Sequence, residues 1–127
     1  MHALRHVHEL VVPGGTVVDV HPVTEEHVEA GSGSVGVILE PEWVTVELPN
    51  SEAALEQAID DGLYELEIET EYDVLQHFDH PDELLDARSE LLEEQHELVA
   101  AIRDASAPLR TRMRVVFRRL RVLPAGA

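Results

Sequence analysis

The clearest pattern in the chain is an alternation of two residue types between positions 64 and 74. Its apolar or β-prone members are Tyr64, Leu66, Ile68, Thr70, Tyr72 and Val74. Its acidic members are Glu65, Glu67, Glu69, Glu71 and Asp73. Because side chains alternate between the two faces of a β-strand, a period of two predicts a long strand with one buried face and one acidic face.

A second alternation, later in the chain, places arginines on one face of another strand. These arginines are Arg110, Arg112 and Arg114, followed by Arg118, Arg119 and Arg121. Opposite charges on facing strands stabilise a sheet, and like charges destabilise it. We therefore predict that this strand runs antiparallel to residues 64–74, with its arginines facing the acidic row. On this interpretation the arginines stabilise the sheet. The alternative is that they form a ligand-binding patch.

The first half of the chain predicts short elements joined by turns. Apolar spacing predicts a helix over residues 2–12, which Pro13-Gly14-Gly15 ends. Thr16 to Val20 is rich in β-branched residues and predicts a strand that is buried on both faces. The Gly-Ser-Gly-Ser stretch within residues 22–34 predicts a loop. Residues 35–48, with Pro41 between two apolar runs, predict a β-hairpin.

Two further helices complete the pattern. One has Asn50 or Ser51 as its N-cap and Gly62 as its C-cap. The other begins at Pro81 and continues to about Ala105 with leucines at heptad spacing, which is typical of a helix packed on a sheet or of a coiled coil. The fold class predicted is α/β. Residues 1–127 form one domain, in which a mixed β-sheet carries helices on its faces and the 35–48 hairpin is an insertion.

Composition and charge exclude several classes of function. The 127 residues include no cysteine, and 26 acidic residues against nine basic ones give a formal net charge of −17. Such a charge repels nucleic acid and anionic membranes, so we expect neither as a partner. The absence of a long apolar run favours a soluble, cytoplasmic protein. The acidity itself has three explanations: a GC-rich or salt-adapted genome, a basic protein partner, or mimicry of nucleic acid.

Asp19 and His21 are the candidate catalytic residues. They share one face near the end of the predicted strand at residues 16–20, where α/β sheets bind ligands. An aspartate that orients a histidine suits a general base. The alternative is a purely structural pair, in which His21 ends the strand before Pro22.

His77, Asp79 and His80 are the candidate metal ligands. Histidine and carboxylate oxygens suit zinc and other first-row metals. The chain changes there from strand to helix, however, which directs these side chains apart. The alternative is that His80 is the residue preceding the helix, so that no metal is bound.

The order of these elements resembles the C-terminal half of a class I S-adenosylmethionine-dependent methyltransferase. Val11-Val12-Pro13-Gly14-Gly15 is similar to the turn that precedes that family's fifth strand, and Ala58-Ile59-Asp60-Asp61-Gly62-Leu63 is similar to a later helix end. The stretch FDHPDELLDARSE, residues 78–90, is similar to a segment that some members carry before an arginine-rich last strand. The resemblance implies a Rossmann-like fold with its last strand antiparallel.

The resemblance also implies what this chain lacks. In the family, the cofactor binds to an N-terminal strand, a glycine-rich loop and an acidic residue, and we expect none of these here. We therefore expect no bound cofactor. We expect a non-catalytic domain that associates with itself or binds a small ligand. The alternatives are a methyltransferase-related subunit that borrows its cofactor half from a partner chain, and an unrelated enzyme that uses Asp19 and His21.

Self-association is the last expectation. In the methyltransferase order, the strand matching Thr16 to Val20 has a neighbour on both sides, and one of these neighbours is missing here. An exposed strand edge invites pairing with another chain. We predict a symmetric homodimer that covers this edge, with the apolar residues of the 35–48 hairpin contributing. The alternative is that the hairpin covers the edge within one chain.

Overall fold

The computed structural model describes residues 2–31 and 33–124. Its helices are α1 (His2–Leu10), α2 (Leu48–Asp60), α3 (Pro81–Ala87), α4 (Ser89–Leu92) and α5 (His96–Asp104). Its strands are β1 (Thr16–Pro22), β2 (Glu26–Ala30), β3 (Gly33–Ile38), β4 (Tyr64–Phe78) and β5 (Leu109–Val122). The predicted α/β class, a sheet with helices, is confirmed, but the sheet is antiparallel and not mixed.

The five strands form one sheet in which β5 is the central strand. β1, β2 and β4 all pair with β5, and β3 pairs antiparallel with β2. Arg121 pairs with Glu65 near the start of β4, and Arg112 pairs with Asp73 near its end. Residue numbers therefore increase along β4 as they decrease along β5, so the two strands are antiparallel neighbours. The predicted adjacency of the acidic and the basic strand is therefore confirmed.

Contacts divide the chain into two compact units. The first comprises residues 1–21, 42–72 and 116–127, and the second comprises residues 22–41 and 73–115. In the first unit, Tyr64, Leu120 and Val122 pack against Leu55 and Ala58 of α2. In the second unit, buried apolar side chains form another core, which consists of Val28, Ile38, Phe78, Leu84, Leu92, Ile102 and Leu109.

The turn between α1 and β1 has the predicted form. Gly14 has φ +84°, which favours glycine, and its N–H donates to Val122 O at 2.8 Å. A Cβ on Gly15 would lie 2.7 Å from Cγ1 of Val11 and 2.9 Å from O of Val12. The end of α2 is likewise as predicted, since Gly62 has φ +76°.

The predicted loop at 22–34 and the predicted hairpin at 35–48 are both wrong. The hairpin is formed by β2 and β3, and its turn contains Gly31 and Gly33, with φ +125° at Gly33. Ser32 of that turn lies outside the described residues. Residues 43–47, expected as the second strand, form a π-helical turn that leads into α2. Pro41 stands at the start of this helical run, where a missing N–H costs nothing.

Two other expectations about burial are wrong. β1 is not buried on both faces, since Val18 and Val20 are 52% and 49% exposed. In β4 only Tyr64 and Phe78 are buried, and every residue from 65 to 77 is exposed. Among the residues that the structure describes, no helix covers the middle of β4, so the expected buried face of this strand lies open.

The long helix predicted from Pro81 to Ala105 is broken into α3, α4 and α5. Arg88, at the first break, leaves helical geometry and binds Glu26 of β2. Gln95, at the second break, binds the backbone of Leu39 with its side-chain amide. These polar contacts interrupt the helix that the heptad spacing predicted. The resulting short helices pack on the sheet.

Candidate functional site

Asp19 and His21 lie together on one face of β1, as their spacing predicted. Nδ1 of His21 is 2.9 Å from Oδ1 of Asp19. β1 pairs with β5, and α2 packs in the same unit, so that Arg118 and Glu52 meet the pair. With Glu69 of β4, these five residues form what we term the Arg118 cluster.

Arg118 is the centre of the cluster. Its side chain is only 9% exposed, although it carries a permanent charge. Nε donates to Glu69 at 2.7 Å, Nη2 donates to Glu52 at 2.7 Å, and Nη1 donates to Asp19 at 3.2 Å. The rigid fork of the guanidinium group matches three carboxylates at once, which a lysine ammonium does not do.

His21 is held between two carboxylates. Besides Asp19 at Nδ1, its Nε2 lies 2.8 Å from Oε1 of Glu52. The ring therefore bridges Asp19 of β1 and Glu52 of α2, with a carboxylate oxygen at hydrogen-bond distance from each of its nitrogens. In the cluster, three carboxylates surround Arg118 and His21.

Electrostatics in the cluster favour the charged forms. Burial alone would raise the pKa of Glu52, but hydrogen bonds and positive charge from Arg118 and His21 outweigh burial and lower it. Burial alone would lower the pKa of Arg118, but Glu52 and Glu69 outweigh burial and raise it. The cluster thus joins α2, β1, β4 and β5 through ionised groups.

The chemistry open to His21 is limited by these contacts. A general base needs a free nitrogen that faces its substrate. Both nitrogens of His21 face carboxylates, so the ring has to release Asp19 or Glu52 before it accepts a proton from a substrate. General-base catalysis by Asp19 and His21 stays a prediction, and the geometry favours their structural role.

Trp43 lies beside the cluster. Its ring meets the His21 ring edge-on, with centroids 6.4 Å apart. The indole N–H is buried and has no hydrogen-bond partner among the described residues. Tyr72, which the alternation of residues 64–74 placed on a buried face, is 43% exposed on β4.

His77, Asp79 and His80 are not gathered into a metal site. His77 is exposed near the end of β4, Asp79 follows the strand, and His80 has extended backbone before α3. Within residues 2–31 and 33–124, no three histidine or carboxylate side chains are placed to hold a metal ion. The metal hypothesis at these residues stays a prediction, which the geometry does not support.

Sequence reasoning missed three members of the cluster. Glu52 lies on a helix and Glu69 lies in the acidic row, and neither residue stands out by type or spacing. Arg118 continues the alternation of Arg110, Arg112 and Arg114, yet it shares that parity with the buried Leu120 and Val122. A charged residue in phase with buried ones was the available signal.

Comparison with protein-family models, curated proteins and solved structures gave no significant match to this chain. Among the helices that the structure describes, none combines the length and apolar character that crossing a membrane demands.

Proposed function

We propose that the protein is a non-catalytic interaction domain that associates with a second copy of itself. The observation that carries this proposal is an uncovered apolar row on β4. Leu66, Ile68 and Tyr72 are 39%, 40% and 43% exposed on the same strand. Adjacent apolar side chains left open to water are typical of a surface that another protein covers.

The position of β4 in the sheet supports the same conclusion. Among the described residues, β4 pairs with β5 alone, so its other edge is free. A long strand with a free edge and apolar side chains is prone to associate unless something covers or repels a partner. Association near this strand would therefore cover apolar area that lies beside an unpaired edge.

Charge favours this part of the surface over others. The chain as a whole carries −17, which opposes contact between copies. Along β4, however, Glu65 pairs with Arg121, Glu67 with Arg119 and Glu69 with Arg118. These pairs neutralise the surface locally, and moderate salt screens the remaining charges beyond about 8 Å.

Packing face to face is favoured over pairing edge to edge. Two β4 strands paired antiparallel would set one acidic row against the other, and like charges on facing strands are destabilising. Contact through Leu66, Ile68 and Tyr72 avoids that opposition. A stable dimer buries about 800 Å² on each partner, which is more than these three side chains supply. The polar residues around them therefore form the rim of the interface.

Light scattering on the intact chain tests the proposal. At about 50 µM protein in 0.15 M salt, we expect twice the chain mass of 14.2 kDa. Ile68→Glu and Tyr72→Glu should weaken the dimer at least about tenfold, because a carboxylate at the centre of an interface loses its water. Val12→Glu is the matched control, since Val12 is 73% exposed and lies outside β4.

The same experiment separates two interfaces. The sequence predicted contact at the β1 edge, where Val20 is half exposed. If Val20→Glu abolishes the dimer and Ile68→Glu does not, association occurs at β1 and the β4 interface is wrong. A mass of one chain at every concentration contradicts self-association altogether.

A methyltransferase-related subunit is the second candidate. Its support is the order of pairing: the strand after Pro13-Gly14-Gly15 pairs with the last strand, and the last strand also pairs with β4. The resemblance predicts the first of these pairings, between the strand after Pro13-Gly14-Gly15 and the last strand. On this proposal, the chain alone should bind S-adenosylmethionine no more tightly than millimolar in calorimetry. Micromolar binding by the chain alone would contradict a missing cofactor half.

A further inference from the structure

Leu39 directly follows β3, and a side chain occupies its backbone groups along the continuation of the free edge of β3. The N–H of Leu39 donates to Oε1 of Gln95 at 2.9 Å, and Nε2 of Gln95 donates to the carbonyl of Leu39 at 3.1 Å. The carboxamide thus makes both hydrogen bonds that a neighbouring strand would make to Leu39. It stands where a peptide group would stand.

The backbone next to Leu39 offers a continuation of this pattern. In an extended strand, every second residue directs its N–H and carbonyl to the same edge. Leu39 faces Gln95, so Val37 directs its backbone groups to that edge too. Among the described residues, no strand pairs with β3 on the side away from β2.

An open groove runs beside this edge. It has a volume of about 540 Å³ and is lined by Val37, Leu39 and Leu98, together with Glu94, Gln95, His96 and Glu97. Leu98 lies over β3, since a Cβ on Gly36 would be 2.6 Å from its Cδ1. The groove therefore has an apolar floor, a peptide-like edge and two carboxylates on its α5 side.

We propose that this groove binds an extended, basic segment of another protein by adding it as a strand to β3. The segment displaces the Gln95 carboxamide from Leu39 and pairs with Val37 and Leu39. Its alternate side chains lie over Leu98, where arginine or lysine stems cover apolar surface and their charged ends reach Glu94 and Glu97.

Charge selects this occupant over a second copy of the chain. Among the described residues, no ion pair neutralises Glu94 or Glu97, and both are exposed. A copy carrying −17 is repelled there, whereas a basic segment is attracted. The surface is also separate from the β4 row, so this proposal does not depend on the self-association proposed above.

A matched pair of synthetic peptides provides the test. The first is an end-blocked hexapeptide in which arginine and valine alternate. The second has the same sequence with alternate backbone nitrogens methylated, which keeps the charge and removes strand pairing. We expect fluorescence anisotropy to show at least about tenfold weaker binding of the methylated peptide, because backbone hydrogen bonds supply the affinity. Equal binding would overturn the proposal in favour of nonspecific attraction.

Variants and amide NMR locate the site. With the first peptide, the amide signals of Val37 and Leu39 should shift most. Val37→Pro should lose binding about as strongly as methylation does, since proline removes the N–H at this edge. Circular dichroism checks that this variant folds, and the methylated peptide keeps the test valid if it does not.

Two further variants test the occupant and the role of Gln95. Gln95→Ala should tighten binding about threefold, because nothing then competes for Leu39, and weaker binding would contradict the placeholder role. Glu94→Gln with Glu97→Gln should weaken binding about threefold in low salt. If the Val37 amide shifts with protein concentration alone, a second copy is the occupant and the proposal is wrong.

Discussion

Arg88 binds both carboxylate oxygens of Glu26. Nε donates to Oε1 at 2.7 Å and Nη2 donates to Oε2 at 2.9 Å, with the Glu26 side chain only 9% exposed. This fork joins the break between α3 and α4 to β2, and it fixes the point where the predicted long helix ends.

The first prediction concerns the pH dependence of that contact. Burial alone would raise the pKa of Glu26, but hydrogen bonds from Arg88 and Thr111 outweigh burial and lower the pKa below 4.5. A carboxyl with a lowered pKa stabilises the fold above its unfolded-state pKa and loses that stabilisation as pH falls through the folded-state value.

Glu26→Gln should therefore lower the free energy of unfolding at pH 7 by about 3 kcal/mol, because Arg88 loses its charged partner in a buried setting. The difference from the unsubstituted protein should shrink as pH falls below about 4.5. Urea titrations at pH 7, 5 and 3 measure it. A difference that stays constant across this range would contradict the assignment.

The second prediction concerns Arg118. Arg118→Ala leaves Asp19, Glu52 and Glu69 without their shared cation, so we expect the free energy of unfolding to fall by about 3–5 kcal/mol. Arg118→Lys should recover only part of that loss, because an ammonium group lacks the fork. Urea titration at pH 7 measures both variants.

Arg121→Ala is the matched control for Arg118. Arg121 also pairs with an acid of β4, but its side chain is 46% exposed. Exposed pairs contribute about 0–1 kcal/mol, so this change should leave stability nearly unaltered. Equal losses for Arg118→Ala and Arg121→Ala would show that burial of Arg118 has no energetic consequence.

The third prediction concerns the turn before β1. Gly15→Ala should lower the free energy of unfolding by about 2 kcal/mol, because its Cβ would meet a backbone oxygen 2.9 Å away. Gly31→Ala is the control, since its Cβ meets nothing within 4 Å. Thermal unfolding should show a clear loss for the first variant and little change for the second. Similar melting temperatures would contradict the steric argument.

Local patterns predicted the parts of the fold that local forces decide. The turn at Gly14 and the end of α2 at Gly62 follow from backbone geometry, which the residue type fixes. The pairing of β4 with β5 follows from charge rows that only one arrangement satisfies. The two glycine turns need no knowledge of distant residues, and the strand pairing needs only the two charge patterns.

Other features depend on contacts that the sequence does not reveal. Residues 43–47 have a strand-like composition but lie in a helical run that Pro41 begins. The heptads after Pro81 predict an unbroken helix, yet Arg88 and Gln95 bind β2 and the end of β3 instead. For the candidate site, the spacing of Asp19 and His21 was informative, whereas Glu52 and Arg118 joined them only through tertiary packing.

In β5 the positions that face inward change phase along the strand. Leu109, Thr111 and Val115 are buried, and then Val116, Arg118, Leu120 and Val122 are buried. Side chains alternate between the two faces of a strand, so a shift of one residue moves each later side chain to the other face. Loss of a single codon at Val115 or Val116 would therefore turn every later side chain over, exposing Leu120 and burying Arg119 and Arg121.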